Sequence, residues 1–227
     1  MIQFRLPITE CHHVYWPAPF AGMQPNMEGR SPMTARVAHV VRRRMEMKPT
    51  EDLMNEHRVI ERMLAVVSVA ADRLNAGQDV DSAVFAGAAD FFKNFADRCH
   101  HGKEEKLLFK KMMERGVSGE VGPIAVMLRE HEDGRAHVRR ITELSAKKLD
   151  KKAKTELIRH TRAYVELLGQ HIQKEDNILY PMANQILTSE DQEELEKGFD
   201  EVEEKIMGPG VHERYHHMIE EWEEKLA

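Results

Sequence analysis

The chain has 227 residues, 41% of them hydrophobic and 32% charged, a balance that supports one sizeable core and excludes a disordered tail. No apolar run approaches the roughly 20 residues of a membrane helix, so no membrane span is expected. The formal net charge of −6 divides into +4 over residues 1–48, zero over 49–188 and −10 over 189–227, which excludes nucleic acid as the main partner.

Residues 1–48 carry Pro7, Pro17, Pro19, Pro25 and Pro32 without sustained periodicity and read as an irregular extension, with a largely disordered state among the expectations. Their basic run, Arg42 to Arg44, reads as a solvated leader or as residues upstream of a later start at Met33, Met45 or Met47. The alternative is a targeting or anionic-surface segment. From Pro49 the texture changes. Pro49-Thr50-Glu51-Asp52 is a helix start, with proline and acids in the first turn. Helical patterns over about 49–76, 81–115, 120–149 and 152–187 follow, punctuated at Gly77, Gly116 to Gly119 and Lys147 to Lys152. Connections this short make successive helices antiparallel. The expected fold is therefore all-α, an up-down-up-down four-helix bundle over residues 49–188. Two acid-rich helices, about 189–206 and 211–226, are split by Gly208-Pro209-Gly210 and are expected to pack on its outside.

Helical spacing gives each bundle helix an inward stripe. The first reads Leu53, His57, Ile60, Leu64, Val67, Ala71 and Leu74. The second reads Phe92, Ala96, His100, Glu104, Leu107 or Leu108, then Lys111 or Met112. The third reads Ile124, Leu128, His131, Val138, Ile141 and Leu149, and the fourth Leu157, Tyr164, Leu168, His171, Glu175, Ile178 and Met182. A histidine interrupts every stripe, and in two of them a glutamate follows one turn later. A buried imidazole or carboxylate costs free energy unless it is paired or bound to a metal. At 1.5 Å per residue the six positions fall within a turn or two of one level, so His57, His100, Glu104, His131, His171 and Glu175 are the candidate metal ligands.

An internal repeat supports the assignment. His100-His101-Gly102-Lys103-Glu104-Glu105-Lys106-Leu107-Leu108-Phe109 aligns with His171-Ile172-Gln173-Lys174-Glu175-Asp176-Asn177-Ile178-Leu179-Tyr180, and Glu56-His57 with Glu130-His131. The unit is a helical hairpin used twice. The repeat favours His100 with Glu104. His101 with Glu105, one residue round the helix at the same spacing, is the alternative.

The order H…HxxxE…H…HxxxE over about residues 50–187 resembles the hemerythrin-like (HHE cation-binding) family. The resemblance implies a four-helix bundle with a non-haem di-iron centre, two irons joined through an oxo or hydroxo bridge. His57, His100, His131 and His171 would be terminal ligands and Glu104 and Glu175 bridging carboxylates, with manganese as an alternative ion. Oxygen-carrying relatives have a second histidine one turn after the third-helix histidine, where this chain has Arg135. On the fourth helix they have H-x-x-x-x-D, where this chain has H-x-x-x-E. Four histidines and two glutamates would leave one iron more open.

Other residues carry weaker signals. Glu61 reads as a third carboxylate or as an exposed partner of Arg58 or Arg62. Tyr164 reads as a core residue or a hydrogen-bond donor near the metal. Cys11-His12-His13 makes a weak cluster, His212, His216 and His217 an amphipathic helix face, and Cys99 a buried thiol. With two cysteines and no secretory signal the expected compartment is the cytoplasm. The expected function is binding or sensing of O2, NO or peroxide. The alternatives are a di-iron enzyme, reducing NO or peroxide or repairing iron–sulfur clusters, and an iron-storage or iron-sensing module whose protein partner docks on the acidic C-terminal helices.

Overall fold

The structure is a computed structural model describing residues 48–147 and 149–227. The leader, its arginine run and the Cys11-His12-His13 cluster lie outside the described residues. Among the described residues the chain is all-helical, with no strand.

The first helical rod is α1, Pro49–Asn75, with Glu51 and Asp52 in its first turn and Arg73 in its last, each complementing the helix dipole. It ends where Gly77 takes a positive φ of 78°, a conformation that favours glycine. The second rod runs from α2, Ala83–Phe91, through π-helical stretches at Phe92–His101 and Glu104–Leu108 into α3, Phe109–Glu114. The third rod is α4, Pro123–Ser145. The fourth is α5, Lys151–Lys174, then a π-helical turn at Glu175–Leu179, then α6, Tyr180–Ile186. The fourth rod packs on the first and third, and the second on the first and third.

The core is divided along the rods. One apolar cluster gathers Ile60, Leu64, Phe85, Phe92, Ala96, Val138, Ile141, Leu168 and Ile172. The other gathers Leu53, Leu108, Phe109, Met112, Ile124, Met127, Leu179 and Ala183. Between them each rod contributes buried polar side chains at one level: His57, His100 with His101 and Glu104, His131, and His171 with Glu175.

Two stripe positions need correction. Ile178 is 55% exposed, because the π turn at Glu175–Leu179 places an extra residue in that turn and brings Leu179 and Tyr180 inward instead. The matching π turn at Glu104–Leu108 buries Leu108 rather than Leu107. On the third rod Met127, not Leu128, is the fully buried residue.

The acid-rich segments form α7, Ser189–Ile206, and α8, Val211–Lys225. A capping box between Thr188 and Asp191 starts α7, and Arg115 clamps Asp191 with bonds of 2.8 and 2.9 Å. Asp191, Leu195, Phe199 and Glu203 are its buried residues. The inner face of α8 is Tyr215, Ile219 and Trp222, and Arg62 binds both oxygens of Glu223. The Trp222 ring lies over Gly87, where an added Cβ would come within 2.4 Å of it. Gly87→Ala is therefore expected to push the indole off α2 and cost about 1–3 kcal/mol. A red-shifted tryptophan emission with a lower melting temperature is the expected result, and unchanged emission would mean that α8 packs differently.

Candidate metal centre

Five imidazoles and two carboxylates meet in the polar layer. Their ligand atoms form two groups, His101, Glu104, His131 and His171 in one and His57, His100 and Glu175 in the other; within each, the atoms lie within 4.8 Å of one another. Glu175 faces both groups, with Oε2 3.2 Å from His57 Nε2 and Oε1 3.2 Å from His171 Nε2. Glu104 turns Oε2 towards His131 Nε2 at 3.5 Å and His100 Nε2 at 3.8 Å. Its Oε1 accepts a 2.8 Å bond from the Tyr180 hydroxyl.

A carboxylate stands behind each imidazole. Glu56 lies 2.8 Å from His100 Nδ1, Asp176 2.7 Å from His57 Nδ1, Glu105 2.7 Å from His131 Nδ1 and Glu130 2.9 Å from His171 Nδ1. Asp97 is 3.5 Å from His101 Nδ1. On His57, His100, His131 and His171 the carboxylate draws the proton to Nδ1 and leaves the Nε2 lone pair aimed inward, whereas His101 Nδ1 makes no hydrogen bond. The repeat's shared residues thereby acquire roles. Glu56 and Glu130, beside the histidines of rods one and three, orient His100 and His171 within their own hairpins, and Lys103 and Lys174 neutralise those glutamates. Glu105 and Asp176 cross to the other hairpin's histidine.

The interior of this layer fits cations. His100 Nε2, His101 Nε2, Glu104 Oε2 and both oxygens of Glu175 are buried without a hydrogen-bond partner, an arrangement that costs free energy unless something positive is shared among them. His131 and His171 bring their Nε2 atoms within 3.1 Å, where two lone pairs repel unless a proton or metal lies between. In the metal-free protein, burial opposes charging of His171 but Glu175 and Glu130 outweigh it, and its pKa is pushed up to about 9. Burial and the neighbouring His101 bring His131 down to about 3. Burial, only partly opposed by Asp97, brings His101 down to about 4. Imidazole and carboxylate donors together suit iron or manganese.

The supporting carboxylates set the acid limit. Burial opposes ionisation of Glu56, Asp97 and Glu105. Lys103 with His100, His101 with Arg135, and His131 with Arg135 more than offset it, holding all three below their ordinary values. Glu130 is lowered by His171, against burial, with help from Lys174. Groups with depressed folded-state pKa values contribute fully above their unfolded values, 4.5 for Glu and 3.8 for Asp. That contribution is lost as pH falls through the lower folded values. His101 and His131, held neutral below the unfolded value of 6.5, withdraw stability as pH falls below it, with His171 acting in the opposite sense. The carboxylate contribution goes next, so the metal-free protein is expected to be weakened but folded at pH 5 and to unfold steeply below about pH 4. Helicity measured by circular dichroism against pH checks this, and a transition complete at pH 5 would contradict it.

The structure brings His57, His100, Glu104, His131, His171 and Glu175 into this layer. It also resolves the alternative pair unevenly, since His101 is buried in the layer while Glu105 stands behind His131. A helix wedged between two neighbours buries an arc wide enough for adjacent residues, and Ile172, the repeat equivalent of His101, is equally buried. Glu61 pairs with Arg58 at 2.9 Å on the surface, and Glu132 and Glu105 are held by Arg135. Tyr164 packs edge-on against Phe92 in the core. His137 and His160 pair with each other at 3.0 Å, away from the layer. Cys99 is a buried free thiol whose pKa burial pushes up. Tyr180 and the carboxylates Glu56, Glu130 and Asp176 are the contributors that spacing alone missed. The signal for Tyr180 was the last position of the repeat, Phe in one copy and Tyr in the other.

Residues 48–183 match the family model of the hemerythrin HHE cation binding domain. Over 160 residues the chain is 24% identical to an uncharacterized protein of Mycobacterium bovis and to uncharacterized proteins from two strains of Mycobacterium tuberculosis. The alignment covers 70% of this chain and 62% of each relative, so the chain spans less than two thirds of their length.

Proposed function

Since the chain belongs to the hemerythrin HHE cation-binding domain family, we propose that its polar layer holds two non-haem iron ions and binds or senses a small ligand, O2, NO or peroxide. On this reading residues 49–188 form an up-down-up-down four-helix bundle, residues 189–227 are accessory helices, and the protein works in the cytoplasm. His57, His100, Glu104, His131, His171 and Glu175 are ligands, and His101 joins them. The observation that carries the proposal is the unequal division of donors. Glu104 and Glu175 are each turned towards both groups. One group then has three imidazoles, His101, His131 and His171, and the other two, His57 and His100, so the second position keeps room for an exogenous ligand.

A pair of irons would supply reversible binding, or reduction, of such a ligand. The protein's own residues orient the imidazoles from behind, exclude water with an apolar cluster on each side, and present a proton beside the two-imidazole group. That proton is on Tyr180, whose hydroxyl lies 3.4 Å from His57 Nε2 and 2.8 Å from Glu104 Oε1. Burial, with Glu104 and Glu175 close by, raises its pKa well above the ordinary value of 10. It therefore stays protonated, available as a donor. The Tyr180 hydroxyl favours ligand binding over storage, because a storage site has no need of a buried donor beside one position.

Metal content and an ultraviolet–visible spectrum, taken before and after reduction and after exposure to O2 and then NO, test the proposal. Two irons per chain with near-ultraviolet oxo-bridge bands are expected, with a spectrum that one of these ligands changes. A chain that takes up no iron while keeping its helices would overturn it. Turnover of NO or peroxide by the iron-loaded protein would move the assignment to an enzyme.

A further inference from the structure

The two repeat copies are chemically alike and differently covered. In the second, Lys174 pairs with Glu130, which holds His171, and the lysine side chain is 36% exposed. In the first, Lys103 pairs at 2.6 Å with Glu56, which holds His100, and the lysine side chain is 1% exposed. The difference is α7. Glu203 reaches Lys103 Nζ at 3.4 Å, the Phe199 ring lies 5.6 Å from that ammonium, and Gly198 lets Leu107 pack against the α7 backbone. Ile178, the equivalent of Leu107, is exposed. From α8, His212 Nε2 stands 3.3 Å from Glu203 Oε1. A chain of buried contacts thus runs from α8 through Glu203, Lys103 and Glu56 to His100 Nδ1, whose Nε2 points into the polar layer.

We infer that Glu203 is a positioning residue for His100, acting through Lys103 and Glu56, and that the seating of α7 on the rods and the occupancy of the metal centre are linked. The inference rests on the metal-binding reading above. A metal held by His100 Nε2 would polarise the ring and strengthen the Nδ1 bond to Glu56. That fixes Glu56 and the ammonium it shares with Glu203, and with them the inner face of α7. Linkage is reciprocal, so whatever holds α7 in place raises metal affinity by the factor with which metal holds α7. The acidic helices become the part of the molecule that reports occupancy. The second repeat copy, with no helix over Lys174 among the described residues, has no such connection there.

Backbone hydrogen exchange of the full chain, with and without Mn2+ and, anaerobically, Fe2+, tests this. In the unsubstituted protein saturating metal is expected to slow exchange across residues 199–206 by tenfold or more. Glu203→Gln should abolish that slowing and weaken Mn2+ binding by roughly tenfold, the scale of changes behind a ligating histidine. Lys174→Met should also weaken Mn2+ binding while leaving the slowing over 199–206 intact, an asymmetry that a general loss of stability would not produce. Metal binding to the unsubstituted protein with unchanged exchange in 199–206 would overturn the linkage and leave the metal centre standing. Failure of the unsubstituted protein to bind either ion would overturn both.

Discussion

Glu175→Ala is expected to reduce metal bound after gel filtration from two equivalents per chain to one or none, with helix content retained. Glu175 directs one oxygen to each donor group, 3.2 Å from His57 Nε2 and 3.2 Å from His171 Nε2, so its removal takes a donor from both positions at once. The group of His57, His100 and Glu175 falls to two imidazoles, and a metal pair held as proposed would lose a negative charge. Helix content is expected to survive because the apolar clusters on either side of the layer do not depend on it. Glu104→Ala should be milder in metal count, since only Oε2 faces the donors while Oε1 accepts from Tyr180, and should act mainly by uncoupling the pair. Two equivalents retained in Glu175→Ala, with an unchanged spectrum, would remove Glu175 from the ligand set.

Glu56→Leu is expected to destabilise the metal-free chain by about 3–5 kcal/mol, the usual cost of leaving a buried charge without its partner. Lys103 is the charge in question. Its nearest acid is Glu56 at 2.6 Å, and Glu203, at 3.4 Å, is a longer second partner that retains only part of the pairing. The double variant Glu56→Leu with Lys103→Met should recover much of the loss, because an apolar pair of similar volume replaces a buried ion pair at little cost. Urea denaturation of both variants and of Lys103→Met alone closes the cycle. A single-variant loss of under about 1 kcal/mol would place the Lys103 ammonium in water.

Periodicity revealed the helices and the level of the site because those features are written in local spacing: an inward residue every three or four positions, a histidine in each stripe, and the H-x-x-K-E pattern occurring twice. What it could not supply was register beyond a π turn. A strict 3.6-residue period carries Glu175 to Ile178, whereas the wider turn carries it to Leu179 and Tyr180, so the tyrosine beside Glu104 was hidden by arithmetic. Treating each rod as a single narrow stripe likewise made His100 and His101 rivals, when a rod between two neighbours has room for both. Glu56 and Glu130 stood in plain sight beside ligand-type histidines. That each serves the histidine of the next rod follows only from how the rods are packed.

The crossing of Glu105 and Asp176 between hairpins bears on how the protein is made. Asp176 orients His57 from 119 residues away in sequence, and Thr50 at the start of α1 bonds to Asn184 near the end of α6. A nascent chain emerging from the ribosome can form the first hairpin early, with His57, His100, His101 and Glu104 already on it. His100 already has Glu56 there, but His57 and Glu104 lack Asp176 and Tyr180 until the fourth rod has been synthesised. An ion captured before then would meet mismatched donors and solvent. On the metal-binding reading, loading belongs after synthesis of the fourth rod, when the polar layer is enclosed.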